Sequence, residues 1–152
     1  MTPDHRSDNA RAGATAATRQ ERLRFHEFSM QRTPAGRVTC SVVLEYAPGE
    51  LHRGQAVGQA SPAGESRLGA EAAIMALQSF TGKGLSFELV GVKVSRAFDA
   101  NVVIASLVQQ GPGASRDRLL GCYLTDGDLV RAAAVAVLNA TNRVLTEFIL
   151  AR

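Results

Sequence analysis

The chain has no tryptophan, and only 5% of its 152 residues are aromatic. Its hydrophobic fraction of 45% is nevertheless normal for a globular protein, so the core must consist mainly of Ala, Val, Leu and Ile. Lysine is also scarce, occurring only as Lys83 and Lys93, and the net charge of +3 comes from arginines scattered along the chain. Because no dense basic run is present, we expect no nucleic-acid partner.

Cysteine and long apolar runs are nearly absent as well. Cys40 and Cys122 are too few for a disulfide framework or a metal site, and both lie in apolar, strand-like segments where a free thiol packs as a small hydrophobe. No stretch approaches the roughly 18 apolar residues of a membrane span. The charged N-terminus lacks the apolar run of a secretory signal. We therefore expect a cytoplasmic protein with two buried thiols and no membrane partner.

Side chains suited to catalysis are equally sparse. His5, His26 and His52 have no metal-ligand spacing with one another or with the cysteines. No serine lies in a nucleophile-elbow context. The segment Thr81-Gly82-Lys83-Gly84 lacks the leading glycine and the Ser/Thr of a phosphate loop. The sequence therefore predicts a protein that is not an enzyme and has no metal and no cofactor.

Residues 1–20 are polar, alanine-rich and charged, without apolar periodicity, which predicts a disordered tail. Residues 21–152 are expected to form one domain, in which the same order of elements occurs twice. Apolar patterns predict the following elements: a strand that begins at Leu23, strands at 37–46 and 51–60, a helix at 65–80, strands at 85–96, 101–109 and 119–124, and a helix at 128–148.

This order predicts an α+β fold made of two strand-strand-strand-helix repeats, 23–80 and 85–148. The repeats should be related by a pseudo-two-fold axis, with their helices packed on antiparallel sheets. An offset of about 62 residues aligns the two halves. It places Val42 on Ile104, and Gly58 within one residue of Gly121.

The second predicted helix is apolar on almost every side over two turns, from Ala132 to Leu138. A surface helix should have a wet face, so this helix must be covered by its own sheet and by the sister helix, a second subunit, or both. A homodimer is the simplest source of such cover, because two-fold self-association is the commonest assembly. The residues predicted to pack at the helix or dimer contact are Ala132, Ala133, Ala136, Val137 and Ala140.

The same helix carries a resemblance to a known family. Asp128-Leu129-Val130 is followed by Ala132-Ala133-Ala134 and by an ending at residues 136–145, AVLNATNRVL. This pattern resembles the closing helix of the C-terminal regulatory domain of alpha-isopropylmalate synthase and citramalate synthase. Asp99-Ala100 is similar to a second signature of that family. The resemblance covers residues 23 to 148.

The resemblance implies a dimeric, leucine-sensing type of domain that binds a branched-chain amino acid and controls a synthase. A ligand carboxylate would meet exposed N–H groups at the helix starts, and an aliphatic side chain would meet Ala- and Val-lined walls. The implied ligand-binding residues are Gly58, Gln59, Ser61, Pro62, Thr125, Asp126 and Asp128.

Two departures from the family pattern bear on these expectations. The family's Gly-x-Gly-Pro turn is longer here, running from Gly58 to Gly64, and Gly127 replaces the threonine that usually precedes the aspartate. The synthase's catalytic barrel is not in the sequence, so such a module would act on a separate synthase-like enzyme. The alternative hypothesis is a structural or assembly subunit that binds itself or another protein without a ligand.

Overall fold

The computed structural model describes residues 23–82, 84–111 and 117–151; the tail predicted at 1–20 lies outside them. In chain order the elements are β1 (Arg24–Arg32), β2 (Arg37–Glu45), β3 (Leu51–Gln59), α1 (Pro62–Thr81), β4 (Ser86–Ala97), β5 (Ala100–Gln110), β6 (Arg118–Thr125) and α2 (Leu129–Leu150). The predicted α+β class and the repeated order of three strands and a helix are confirmed.

The strands form two antiparallel sheets, one in the order β1-β2-β3 and the other in the order β4-β5-β6. The register of pairing matches between the sheets. Val42 pairs with Gly54 in the first sheet, as Ala105 pairs with Gly121 in the second. Both first strands carry an irregularity at the same place, between Phe25 and Glu27 in β1 and between Leu89 and Gly91 in β4.

The matching irregularities correct the alignment of the two halves. Leu89 is the counterpart of Phe25, and Ala105, rather than Ile104, is the counterpart of Val42. An error of a single position moves a side chain to the opposite face of a sheet. The alignment predicted from the sequence was therefore wrong by one position for the middle strands and by two positions for the first strands.

Each helix contacts the first strand of the other half in a reciprocal way. Arg67 of α1 reaches β4, where its Nη2 lies 3.5 Å from the carbonyl oxygen of Leu89. Arg131 of α2 reaches β1, where its guanidinium carbon lies 5.0 Å from the ring centre of Phe25. The corrected alignment that places Leu89 on Phe25 also places Arg131 on Arg67. The two halves are therefore exchanged by a pseudo-two-fold rotation, with α1 and α2 packed together at its centre.

One glycine in each third strand allows the helix to lie close against the sheet. A Cβ placed on Gly54 would lie 2.1 Å from the carbonyl oxygen of Ala72, and a Cβ on Gly121 would lie 2.1 Å from that of Ala136. Gly54, rather than Gly58, is therefore the counterpart of Gly121. The helices also approach each other closely, since a Cβ on Gly69 of α1 would lie 2.3 Å from the carbonyl oxygen of Val130.

The core lies between the sheets and the two helices and contains mainly small aliphatic residues, as the composition predicts. Fully buried members include Val42 and Leu44 of β2, Leu77 of α1, Leu107 of β5 and Val137 of α2. Within the described part of the chain, α2 alone has the length and composition of a membrane-spanning helix, with a mean hydropathy of 1.2. It packs here as a core helix, with Gly121 beneath it and Gly69 beside it.

Candidate functional site

The two helix starts, where the ligand-binding residues were predicted, are closed by the protein's own capping bonds. Ser61 Oγ accepts a hydrogen bond from the backbone N–H of Gly64 at 3.1 Å. Asp128 Oδ1 accepts from the N–H groups of Val130 and Arg131 at 2.9 and 3.2 Å. These are the groups that a ligand carboxylate would need, because the first N–H groups of a helix have no partner within the helix. Capping is thus the role that the structure gives to Ser61 and Asp128.

The other predicted ligand-binding residues have local roles or lie at the surface. Gly58 faces the side chain of Leu68, with its virtual Cβ 2.9 Å from Leu68 Cδ2. Pro62 is the first residue of α1, where a missing N–H costs nothing. Thr125 Oγ1 accepts from the N–H of Gly127 at 3.0 Å. Gln59 and Asp126 are exposed.

The two sets of predicted residues belong to the starts of two helices that contact each other. The start of α2 lies beside Gly69, through the contact of that glycine with Val130. Gly69 lies two turns of helix beyond Ser61, which corresponds to about 12 Å along the helix axis.

The five residues predicted to pack at the helix or dimer contact are all buried within a single chain. Ala133, Ala136 and Val137 have no exposed surface, and Ala132 and Ala140 have almost none. Ala136 and Ala140 rest on Gly121, and the start of the helix meets α1. Helix α1 and the second sheet therefore bury these apolar residues of α2 within one chain.

Of the two thiols that the sequence predicted to be buried, Cys40 of β2 is buried and Cys122 of β6 is exposed, which corrects the prediction for Cys122. Burial, reinforced by the carboxylates of Glu65 and Asp128, raises the pKa of Cys40 to about 11. Glu65 also forms an ion pair with Arg32 and thereby raises the pKa of that arginine. A thiol with a raised pKa holds little thiolate near neutral pH, so Cys40 is suited to packing rather than to nucleophilic chemistry.

A cavity of about 520 Å³ lies between β1 and the C-terminal half of α2. No sequence motif marked it, because its two walls come from opposite ends of the described chain. Most of its lining is aliphatic, and its polar members are two asparagines and a threonine. The lining residues are Leu23, Phe25, Val135, Leu138, Asn139, Asn142, Leu145, Thr146, Ile149 and Leu150.

At the cavity the two halves differ in side-chain size and in helix length, since α2 continues to Leu150, beyond Leu145, the counterpart of the last residue of α1. In the other half, Gln78 of α1 donates a hydrogen bond to the carbonyl oxygen of Phe87 at 3.4 Å. Phe87 is only 5% exposed there. The counterparts of these two residues are the shorter Asn142 and the smaller Leu23, and both line the cavity. The smaller side chains leave a gap beside α2, whereas Gln78 and Phe87 fill the corresponding space beside α1.

The polar groups of the cavity are held by the backbone around them. Asn139 Nδ2 donates to the carbonyl oxygen of Cys122 at 2.9 Å, which fixes the amide and leaves its oxygen as an acceptor. Thr146 Oγ1 donates to the backbone oxygen of Asn142 at 2.8 Å. The side chain of Asn142 brings a further donor and acceptor to the wall. An aliphatic wall with a few fixed polar groups is typical of small-molecule sites.

Residues 23–82, 84–111 and 117–151 contain no group of three His, Cys, Asp or Glu side chains that could hold a metal ion. Comparisons with known proteins give no family for the chain. No protein-family model matches it, and a search of curated proteins finds no relative.

Proposed function

We propose that this chain is a non-catalytic, dimeric regulatory module that binds a small aliphatic amino acid and controls a separate synthase-like enzyme. The likeness of the α2 sequence to the regulatory domain of isopropylmalate synthase suggests the ligand class. We place the protein in the cytoplasm, since Cys40 and Cys122 are both free thiols.

The observation that carries the proposal is the cavity between β1 and α2. Its volume of about 520 Å³ falls in the range of small-molecule sites. Leu138, Leu145 and Ile149 offer apolar contacts to a branched side chain. The free oxygen of Asn139 can accept a hydrogen bond from an ammonium group, and the amide of Asn142 can donate one to a carboxylate.

The test is thermal unfolding of the protein with and without leucine, isoleucine or valine. A ligand that binds only the folded state adds about 2.7 kcal/mol at a hundredfold excess over its dissociation constant. For a chain of this length that corresponds to a rise in Tm of roughly 5–10 °C. We expect such a rise with at least one of the three amino acids.

Two variants locate the site. Leu138→Phe adds bulk inside the cavity and should abolish the rise in Tm. Met75→Phe adds similar bulk on the exposed side of α1, outside the cavity, and should leave the rise unchanged. If Leu138→Phe binds as well as the wild type, the cavity is not the site. If none of the three amino acids shifts Tm, the sensing role is refuted.

A structural or assembly subunit that binds no ligand is the second candidate function. It is favoured by the caps that occupy the N–H groups at both helix starts, where the family resemblance placed the ligand. Absence of any shift in Tm, together with self-association, would establish this alternative over the sensing role.

A further inference from the structure

The two arginines that the pseudo-two-fold rotation exchanges have different neighbours on their own helices. In α1, Arg67 forms an ion pair with Glu71 on the next turn, with Nε 3.1 Å from Oε1. The corrected alignment that places Arg131 of α2 on Arg67 also places Val135 on Glu71. The ion pairs among the described residues do not include Arg131. The second half therefore has the arginine without a carboxylate partner.

Arg131 lies at one end of the cavity between β1 and α2. Its guanidinium carbon is 5.0 Å from the ring centre of Phe25, and both Phe25 and Val135 line the cavity. The arginine is exposed. A guanidinium carries five N–H donors in its plane, so contact with a ring face leaves donors for a carboxylate. The position of the Glu71 carboxylate in α1 corresponds here to the cavity beside Val135.

The cavity is long and narrow. Its lining on α2 runs from Val135 to Leu150, which corresponds to roughly 22 Å along the helix axis. A volume of about 520 Å³ over that length gives a mean width of about 5 Å. Ile149 and Leu150 belong to the part of α2 beyond Leu145, which has no counterpart in α1. An extended hydrocarbon chain fits a space of this width, because non-bonded carbon atoms pack about 4 Å apart.

The wall of the cavity suits an apolar chain better than a charged group. Among the described residues that line it, none has an ionisable side chain. Its aliphatic residues on α2 recur on one face of the helix: Val135, Leu138, Leu145 and Ile149. A charged group within this wall would have no charge partner, whereas a carboxylate at the Phe25 end would meet Arg131.

We propose that the cavity binds a linear aliphatic carboxylate, whose carboxylate pairs with Arg131 and whose chain extends along α2 toward Leu150. The guanidinium at one end and the aliphatic wall beyond it match the charged head and the apolar chain of such a molecule. This ligand would use the cavity of the proposed function, but its binding does not depend on the amino-acid ligand. An amino acid would occupy only the region around Asn139 and Asn142.

Isothermal titration calorimetry with octanoate, decanoate and dodecanoate tests the proposal. Dodecanoate extends about 15 Å at roughly 1.3 Å per carbon, so all three chains are short enough for the cavity. Each methylene group that is buried should raise the affinity about fourfold, and each step of two carbons about sixteenfold. Decan-1-ol has the chain length of decanoate without its charge and should bind more weakly by about tenfold or more.

A matched pair of variants tests the arginine. Arg131→Gln should weaken the binding of decanoate by about tenfold or more, and should bring decanoate and decan-1-ol to similar affinities. Arg67→Gln removes the counterpart on α1, which does not line the cavity, and should bind decanoate as the wild type does. Far-UV circular dichroism and Tm should show that both variants are folded.

A second pair tests the position of the carboxylate. Val135→Glu rebuilds in α2 the arginine–glutamate pair of α1, so the side chain takes the place of the ligand's carboxylate. Its affinity for decanoate should fall by about thirtyfold or more. Val135→Gln has nearly the same size without the charge, and should bind decanoate more tightly than Val135→Glu by about tenfold or more.

The proposal is overturned if decanoate does not bind, or if Arg131→Gln binds it as tightly as the wild type. It is overturned equally if Arg67→Gln loses as much affinity as Arg131→Gln, or if octanoate and dodecanoate bind alike, because the chain would then lie outside the cavity. A shift in Tm with leucine, isoleucine or valine, without binding of decanoate, would refute this proposal and leave the amino-acid sensor intact. The reverse result would support the carboxylate and refute the amino-acid ligand.

Discussion

Replacing Gly54 or Gly121 by alanine tests the close contact between sheet and helix on which the fold depends. The new methyl carbon would start 2.1 Å from a helix carbonyl oxygen and 2.3 Å from a helix nitrogen. Side-chain carbons essentially never lie within 3.0 Å of such atoms, so the helix must move away from the sheet. The obstacle is helix backbone, which cannot rotate aside as a side chain can.

The expected cost is about 3 kcal/mol for each substitution, at the upper end of the range for overpacked cores. Moving the helix separates Ala72 and Ala76 from β3, or Ala136 and Ala140 from β6, and opens gaps in tightly packed layers. For a chain of this size, such a loss lowers Tm by roughly 6–12 °C.

The assay is urea unfolding followed by far-UV circular dichroism, with Gly91→Ala as the matched control. Gly91 also lies in a strand, but a Cβ there meets nothing within 4 Å. Its replacement should be neutral or stabilise the protein by about 0.5 kcal/mol, because alanine restricts the unfolded chain. If Gly54→Ala unfolded at the wild-type midpoint, the glycine would not be needed for helix packing and the reasoning would fail.

Two further predictions concern buried polar groups. The pKa of Cys40 is raised from 9.0 to about 11, so the thiol of the unfolded chain ionises first as the pH rises. The thiol therefore contributes about 1–3 kcal/mol to the free energy of unfolding below pH 9, and this contribution is lost by pH 11. Cys40→Ala should remove this pH-dependent loss of stability, and an unchanged pH–stability profile would contradict the assignment. Among the described residues, the Ser106 hydroxyl is the one buried side-chain oxygen without a hydrogen-bond partner. Ser106→Ala should therefore raise the free energy of unfolding by about 1 kcal/mol in urea titrations, and a loss of stability would show that the hydroxyl is satisfied.

The sequence was sufficient for the order of elements because strand alternation and helix periodicity are local. The ends of the elements depend on capping and on strand pairing, which periodicity does not show. The first helix was predicted from Glu65 but begins at Pro62, because Ser61 caps it one turn earlier. The assignment of Gly58 as the counterpart of Gly121 failed because only the pairing register shows which glycine faces a helix.

The cavity could not be predicted, because residues near opposite ends of the described chain, such as Leu23 and Leu145, line it together. The helix-start site was inferred from the general affinity of free N–H groups for anions, but Ser61 and Asp128 satisfy those groups within the chain. For Cys122, alternation along β6 indicated a strand but could not show whether anything covers its outer face.

Arg67 of α1 contacts β4, and Arg131 of α2 contacts β1. Two separate copies of a single unit of three strands and a helix would make the same pair of contacts with each other. Joining the units in one polypeptide replaces an association that depends on concentration with an internal one of high effective concentration. A substitution in one unit then no longer changes the other. Gln78 and Asn142 could therefore differ, and a fused pair can hold a single cavity where two identical chains would hold two or none.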